Sequence, residues 1–143
     1  MIKVDQPVAL IFIFTWVGFV SAISFLEAWL KFRAPGITVP LGLGIGRLVF
    51  NALNKIEWVF ALIVIVSGCW HKALGLTGQT VILLLIVIVL LLQTCWLLPR
   101  LDARAAACIS GKTLPRSYLH LYFIGGEVIK TAGLIIYGIN LFK

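Results

Sequence analysis

Charge is what this sequence has least of: only 12% of its 143 residues are charged, and five are acidic. A soluble domain carries about 25%. So little charge cannot cover an aqueous surface, which excludes a water-soluble globular domain. Cysteine is equally sparse. Cys69, Cys95 and Cys108 are odd in number and far apart, with no C-x-x-C pair, so they argue against a thiol oxidoreductase and read as small apolar packing residues. Only two histidines occur, and no H-x-x-E or E-x-x-H pair stands at ligand spacing, so neither a metal nor another cofactor is expected. Gly42-Leu43-Gly44-Ile45-Gly46 lacks the G-x-x-x-x-G-K order of a phosphate loop, and its Gly42 and Gly46 instead have the G-x-x-x-G spacing of close helix packing. Nothing supports a Ser-His-Asp arrangement, and no catalytic residue is assigned.

What the chain has in abundance is apolar sequence, 62% of all residues, with a mean hydropathy of +1.10. Four runs stand out, at about 8–30, 41–70, 80–98 and 118–142. A bilayer crossing takes about 20 residues, so the expected fold is all-α, an integral membrane bundle of four transmembrane helices forming one domain over 1–143. Lys3 before an apolar run and the small residues Val20-Ser21-Ala22 have some features of a cleaved signal peptide. The run is overlong for one and Asp5 stands beside Lys3, so it reads as a membrane span. Pro99 is expected to end the third helix, whose unbroken Val81–Leu92 run reads as scaffold.

The formal charge of +7 would suggest nucleic acid in a soluble protein. Here the basic residues cluster at helix ends, where they act as topology signals and contacts to the lipid bilayer, and nucleic acid is not implied. Lys31, Arg33, Arg100, Arg104, Lys112 and Arg116 belong to one side, Lys3, Lys72 and Lys143 to the other. The positive-inside rule then places loops 31–40 and 99–117 in the cytoplasm and both termini on the outer side.

An ionisable side chain within a span costs about 2.5–3.5 kcal/mol on insertion scales, so each one calls for a reason. Glu27 precedes Lys31 by one turn and can pair with it, as an interfacial anchor or as part of a site. Glu57 stands near mid-membrane in the second run, with Asn51, Asn54 and Lys55 on neighbouring faces. In the fourth run His120 and Glu127 share a face continued by Thr131, and Lys130 lies one turn from Glu127. Glu127 and Lys130 can satisfy each other or reach Glu57 and Asn54, and removing Glu127 alone is expected to strand Lys130. Gly125, Gly126 and Gly133 thin this helix for a close neighbour. Together Glu27, Asn51, Asn54, Lys55, Glu57, His120, Glu127 and Lys130 are expected to form one polar cluster opening toward the cytoplasm. Its carboxylates outnumber its lysines, which calls for a bound proton, Arg47 or a cationic ligand.

Trp16-Val17-Gly18 with the phenylalanines around it, and the glycine-rich entry to the second run with Phe50, resemble small four-span membrane protein families of unassigned function over the first half of the chain. That resemblance implies the four-span plan and no residue role. In plan the chain is also similar to small four-span multidrug transporters, which carry a carboxylate in the first helix. Its longer loops and its Lys55 and Lys130 depart from them. Four-span sterol-isomerase-like proteins likewise place carboxylates in an aromatic-rich pocket, but no motif links this chain to them. The expected function is to bind a small polar ligand or protons, as a small transporter or as an accessory subunit with a homo-oligomeric or membrane-complex partner. The alternatives are a purely structural subunit and an enzyme acting on a lipid-like substrate.

Overall fold

Proline and small hydroxyl residues set where the helices start, because the first turn leaves backbone N–H groups without partners. Pro7 opens α1 (Pro7–Arg33). The Thr38 hydroxyl accepts from the Leu41 amide at 3.4 Å to cap α2 (Val39–Trp70), and Thr77 caps α3 (Gly78–Ile109) in the same way through Thr80. Ser117 accepts from the amide of Leu119, the first residue of α4 (Leu119–Ile139). Gly36 and Gly111, at φ 81° and 82°, follow the ends of α1 and α3, where a left-handed residue lets the chain leave the helix. This computed structural model describes residues 4–142 except 72–74, 76, 113–114 and 116. Lys3, Lys72, Arg116 and Lys143, which contribute to the charge asymmetry, lie outside the described residues.

All four helices are long and apolar enough to cross a membrane, and they form the expected all-α bundle. They make a closed ring in which α1 packs on α2 and α4, and α3 packs on α4 and, through Leu98–Ile109, on α2. The core runs through Ile13 and Trp16 of α1, Phe60 and Val64 of α2, Ile86 and Leu90 of α3, and Leu134 and Tyr137 of α4. Leu62, Leu84, Ile88, Ile129 and Ile136 are exposed outward, the arrangement expected of helices that face lipid.

Pro99 does not end the third helix. The turn before it, Gln93–Leu97, is π-helical, and the helix continues from Leu98 to Ile109. Proline cannot donate to the ladder and its ring crowds the carbonyl four residues back. The wider turn, closed by the Leu98 amide on the Gln93 carbonyl, absorbs both defects. A second π-helical stretch, Ser21–Glu27, lies in α1.

The helices differ in reach. From Gly78 to Trp96, α3 rises about 27 Å, close to the hydrocarbon thickness of about 30 Å. Its last three turns, and the first three of α2, are therefore in excess of what one crossing needs, at the end where residues 34–38 and 110–118 connect the helices. Residues 31–33 and 99–109, expected in loops, belong to helices α1 and α3. Aromatic residues mark that end: Arg33 stacks over Trp29 at 4.5 Å, Arg100 over Trp96 at 5.3 Å, and Tyr118 and Tyr122 are exposed. At the opposite end the Asp5 amide donates to the Leu141 carbonyl at 3.2 Å, tying the two terminal segments together.

Candidate functional site

Two regions gather the charged side chains that lie inside the bundle, while buried Gln6, Ser24 and Ser67 stand apart from both. The first is a buried ion cluster to which every helix contributes. Lys130 of α4 donates to Glu57 Oε1 of α2, and to Glu127 Oε1 at 3.1 Å. The Trp16 indole N–H of α1 donates to the same Glu57 oxygen at 2.9 Å. From α3, the Gln93 amide donates to Glu127 Oε1 at 2.9 Å and to the Phe123 carbonyl at 3.3 Å. Glu127 and Lys130 are completely buried and Glu57 is 1% exposed. A separate hydrogen-bonded group lies one residue from Gln93 and Glu57 along the chain: the Trp58 N–H donates to Thr94 Oγ1, which faces Asn54 Oδ1 at 3.1 Å and the Leu90 carbonyl at 2.7 Å.

Local sequence makes this convergence possible. Gly126 leaves room for Gln93, since a Cβ there would stand 3.0 Å from the Gln93 amide nitrogen, and Gly133 does the same for Ile86. The π-turn that accommodates Pro99 begins at Gln93. Polar atoms in and beside the cluster are left unsatisfied: Glu127 Oε2, Gln93 Oε1, Asn54 Nδ2 and Thr131 Oγ1 are buried with no hydrogen-bond partner among the described residues. Two carboxylates share one ammonium. No group of three or more His, Cys, Asp and Glu side chains converges among the described residues.

The second region is a cavity of about 520 Å³ at the end carrying the 110–118 loop, lined by residues from the ends of all four helices and from that loop. Its walls are apolar, formed by Phe32, Leu43, Phe50, Leu98, Leu101 and Leu119, and its charged lining is Lys31, Arg47, Arg104 and Lys112 against Asp102. Lys31 lies inward with its side chain 9% exposed and pairs with Glu27 at 3.2 Å. Gly42 and Gly46 allow this, because a Cβ on either would collide with the Phe32 ring or the Lys31 amine. Arg47 meets Asp102 at 3.5 Å, and the Asn51 amide donates to both Asp102 oxygens at 3.0–3.1 Å. Arg104 donates to the Pro115 carbonyl.

A layer of apolar side chains separates the two. Phe50 and Leu98 line the cavity, Phe123 meets Phe50 edge-on with ring centres 5.2 Å apart, and Leu97 packs with them. The Phe123 carbonyl, on the far side of that layer, accepts from Gln93 of the ion cluster.

The residues expected to form one cluster therefore divide. Glu57, Glu127 and Lys130 come together in the core, while Asn54, buried one turn before Glu57, meets Thr94 instead. Glu27, Asn51 and His120 belong to the cavity level: Glu27 holds Lys31, Asn51 holds Asp102, and His120 stands exposed at the cavity's edge. Lys55 joins neither and is exposed. Two residues along a helix is about 200° of rotation, so Lys55 faces away once Glu57 faces in. Nor does Glu127 alone satisfy Lys130, because Glu57 shares it. Trp16 and Gln93 are cluster members, and Thr94 belongs to the group beside them; the sequence reading did not single out any of the three, and α3, read as scaffold, supplies two of them. Gln93-Thr94 directly after an unbroken apolar run was the available signal.

Comparison with protein-family models, with curated proteins and with solved structures finds no match for the chain.

Proposed function

We propose that this multi-pass membrane protein is a non-enzymatic binding protein that holds a small ligand in the loop-end cavity, and that the ion cluster clamps the helices around it. One observation carries this reading: the loop-end cavity is lined by both charged and apolar side chains, whereas the ions of the core cluster are buried against one another. A volume near 520 Å³ falls within the range of about 300–1,000 Å³ typical of small-molecule sites. Contributions from all four helix ends make the site a product of the whole bundle, and the Lys/Arg asymmetry supports an opening toward the cytoplasm.

The deciding experiment is native mass spectrometry of the protein released from nanodiscs, comparing wild type with the cavity-filling variant Ala105→Phe. The reading expects a bound small molecule or lipid on wild type that is absent from the variant. Equal retention by both would overturn it.

Proton binding at the ion cluster is a second reading, favoured by the two carboxylates facing one ammonium and by the unpartnered Glu127 Oε2. It predicts an infrared carbonyl band of a protonated carboxylic acid that disappears in Glu127→Gln or Glu57→Gln. The absence of any such band in wild type would remove it.

A further inference from the structure

Resting on that reading of the cavity, we infer that its ligand is an anionic amphiphile: an apolar chain or ring held between the helix ends, with a phosphate or carboxylate on the cationic lining. Three independent features point to this class. The lining carries Lys31, Arg47, Arg104 and Lys112 against the single carboxylate of Asp102. Even with Lys31 matched by Glu27 and Arg47 by Asp102, Arg104 and the exposed Lys112 have no carboxylate partner among the described residues and leave the lining with a net positive charge that favours an anion. The walls and the Phe50–Phe123 floor are apolar, so a fully hydrated anion such as free phosphate would leave them against water. Their burial favours a ligand with an apolar part of its own.

Depth supplies the third feature. Trp29, Trp96 and Tyr122 are exposed on the helices beside the cavity, and the preference of these residue types for the membrane interface puts the edge of the hydrocarbon slab near the cavity floor. Lys31, Arg47 and Arg104 then stand at or beyond the headgroup level, where anionic lipid is concentrated and where guanidinium groups can bind phosphate through paired N–H donors. An apolar pocket above the hydrocarbon can accept a chain or ring lifted from the leaflet, or the apolar end of a dissolved amphiphile. The two sources share one chemistry.

The test uses the full-length protein in zwitterionic nanodiscs doped equally with phosphatidylglycerol and phosphatidylcholine of the same chains, read by native mass spectrometry. Octyl phosphate and inorganic phosphate serve as competitors. Wild type is expected to retain one phosphatidylglycerol with at least tenfold preference, or, if the natural source is dissolved, to retain one octyl phosphate in its place. Ala105→Phe, with Cys108→Phe as a second cavity-filling variant should the first fail to fold, removes that molecule. Lys112→Gln with Arg104→Gln lowers the preference several-fold, and Arg100→Gln, a cation at the same end outside the cavity, leaves it unchanged.

Equal retention of phosphatidylcholine, abolished by Ala105→Phe, would overturn the anionic inference while sparing the cavity as the binding site. Displacement by inorganic phosphate as readily as by octyl phosphate would overturn the amphiphile. Equal losses in Arg100→Gln and Lys112→Gln/Arg104→Gln would reduce the preference to general surface charge. Retention of no probe, or retention unaffected by filling the cavity, would overturn the proposed function itself.

Discussion

The ion cluster and the loop-end cavity hold similar residue types at different depths, and they solve opposite problems. In the core each charge is buried and met by a partner from another helix. At the loop end cations outnumber carboxylates around an open space. Removing charges from water is compensated only by close partners, and an ion pair closed on itself fixes which helix faces meet while leaving little for a ligand to bind. An excess of one charge beside unfilled apolar volume has the opposite character. The space and the charge balance around the side chains are what differ between the two regions.

The largest effect that would sharpen this contrast is in the core. Lys130→Met leaves Glu57 and Glu127 facing each other without a cation, and should destabilise the bundle by about 3–5 kcal/mol, read as a lowered unfolding midpoint in detergent. Glu127→Gln is expected to be much milder, about 1 kcal/mol, because Lys130 keeps Glu57 and one carboxylate now balances one ammonium. If Glu127→Gln proved as damaging as Lys130→Met, the shared-ammonium geometry would be wrong. Next comes Trp16→Phe, which deletes a hydrogen bond to a charged acceptor while preserving most of the ring volume. The expected loss is about 1.5–3 kcal/mol, and unchanged stability would remove α1 from the cluster. Gly126→Ala should cost somewhat less, about 1 kcal/mol, since the Gln93 amide must give way to a new methyl. At the bottom of the scale, Lys55→Gln should change neither unfolding nor ligand retention measurably, because the residue is exposed and belongs to neither region. A substantial loss there would mean that the two regions do not exhaust the protein's polar chemistry.

Much of this architecture is legible in the sequence, for identifiable reasons. Four apolar runs give four helices because a bilayer leaves the backbone few ways to satisfy its hydrogen bonds. Glu57, Glu127 and Lys130 can be expected to meet because lipid would strand them. What the runs cannot show is rotation and axial reach. Lys55 is two positions from Glu57 and points elsewhere, and Glu27, Asn51 and His120 lie a layer away from the core although their helices all pass through it. Pro99 reads as a stop because proline usually is one; here the π-turn beginning at Gln93 carries the helix past it and brings Gln93 to Glu127. The cavity is the least legible feature, being assembled from the ends of four helices distant in sequence and from Gly42 and Gly46, whose role is to admit Phe32 and Lys31.

The division of labour between the two regions is tested most directly by one paired measurement, thermal unfolding and native mass spectrometry on the same preparations. The variants are Glu57→Gln/Glu127→Gln/Lys130→Met, which removes every formal charge of the core cluster together, and Ala105→Phe. Because whole replacement of a buried ion network is often nearly neutral, the account predicts that the triple variant unfolds within about 1–2 kcal/mol of wild type and keeps the bound molecule, while Ala105→Phe stays folded and loses it. A triple variant that stays folded but loses the bound molecule, with Ala105→Phe retaining it, would place the function in the core and contradict the account.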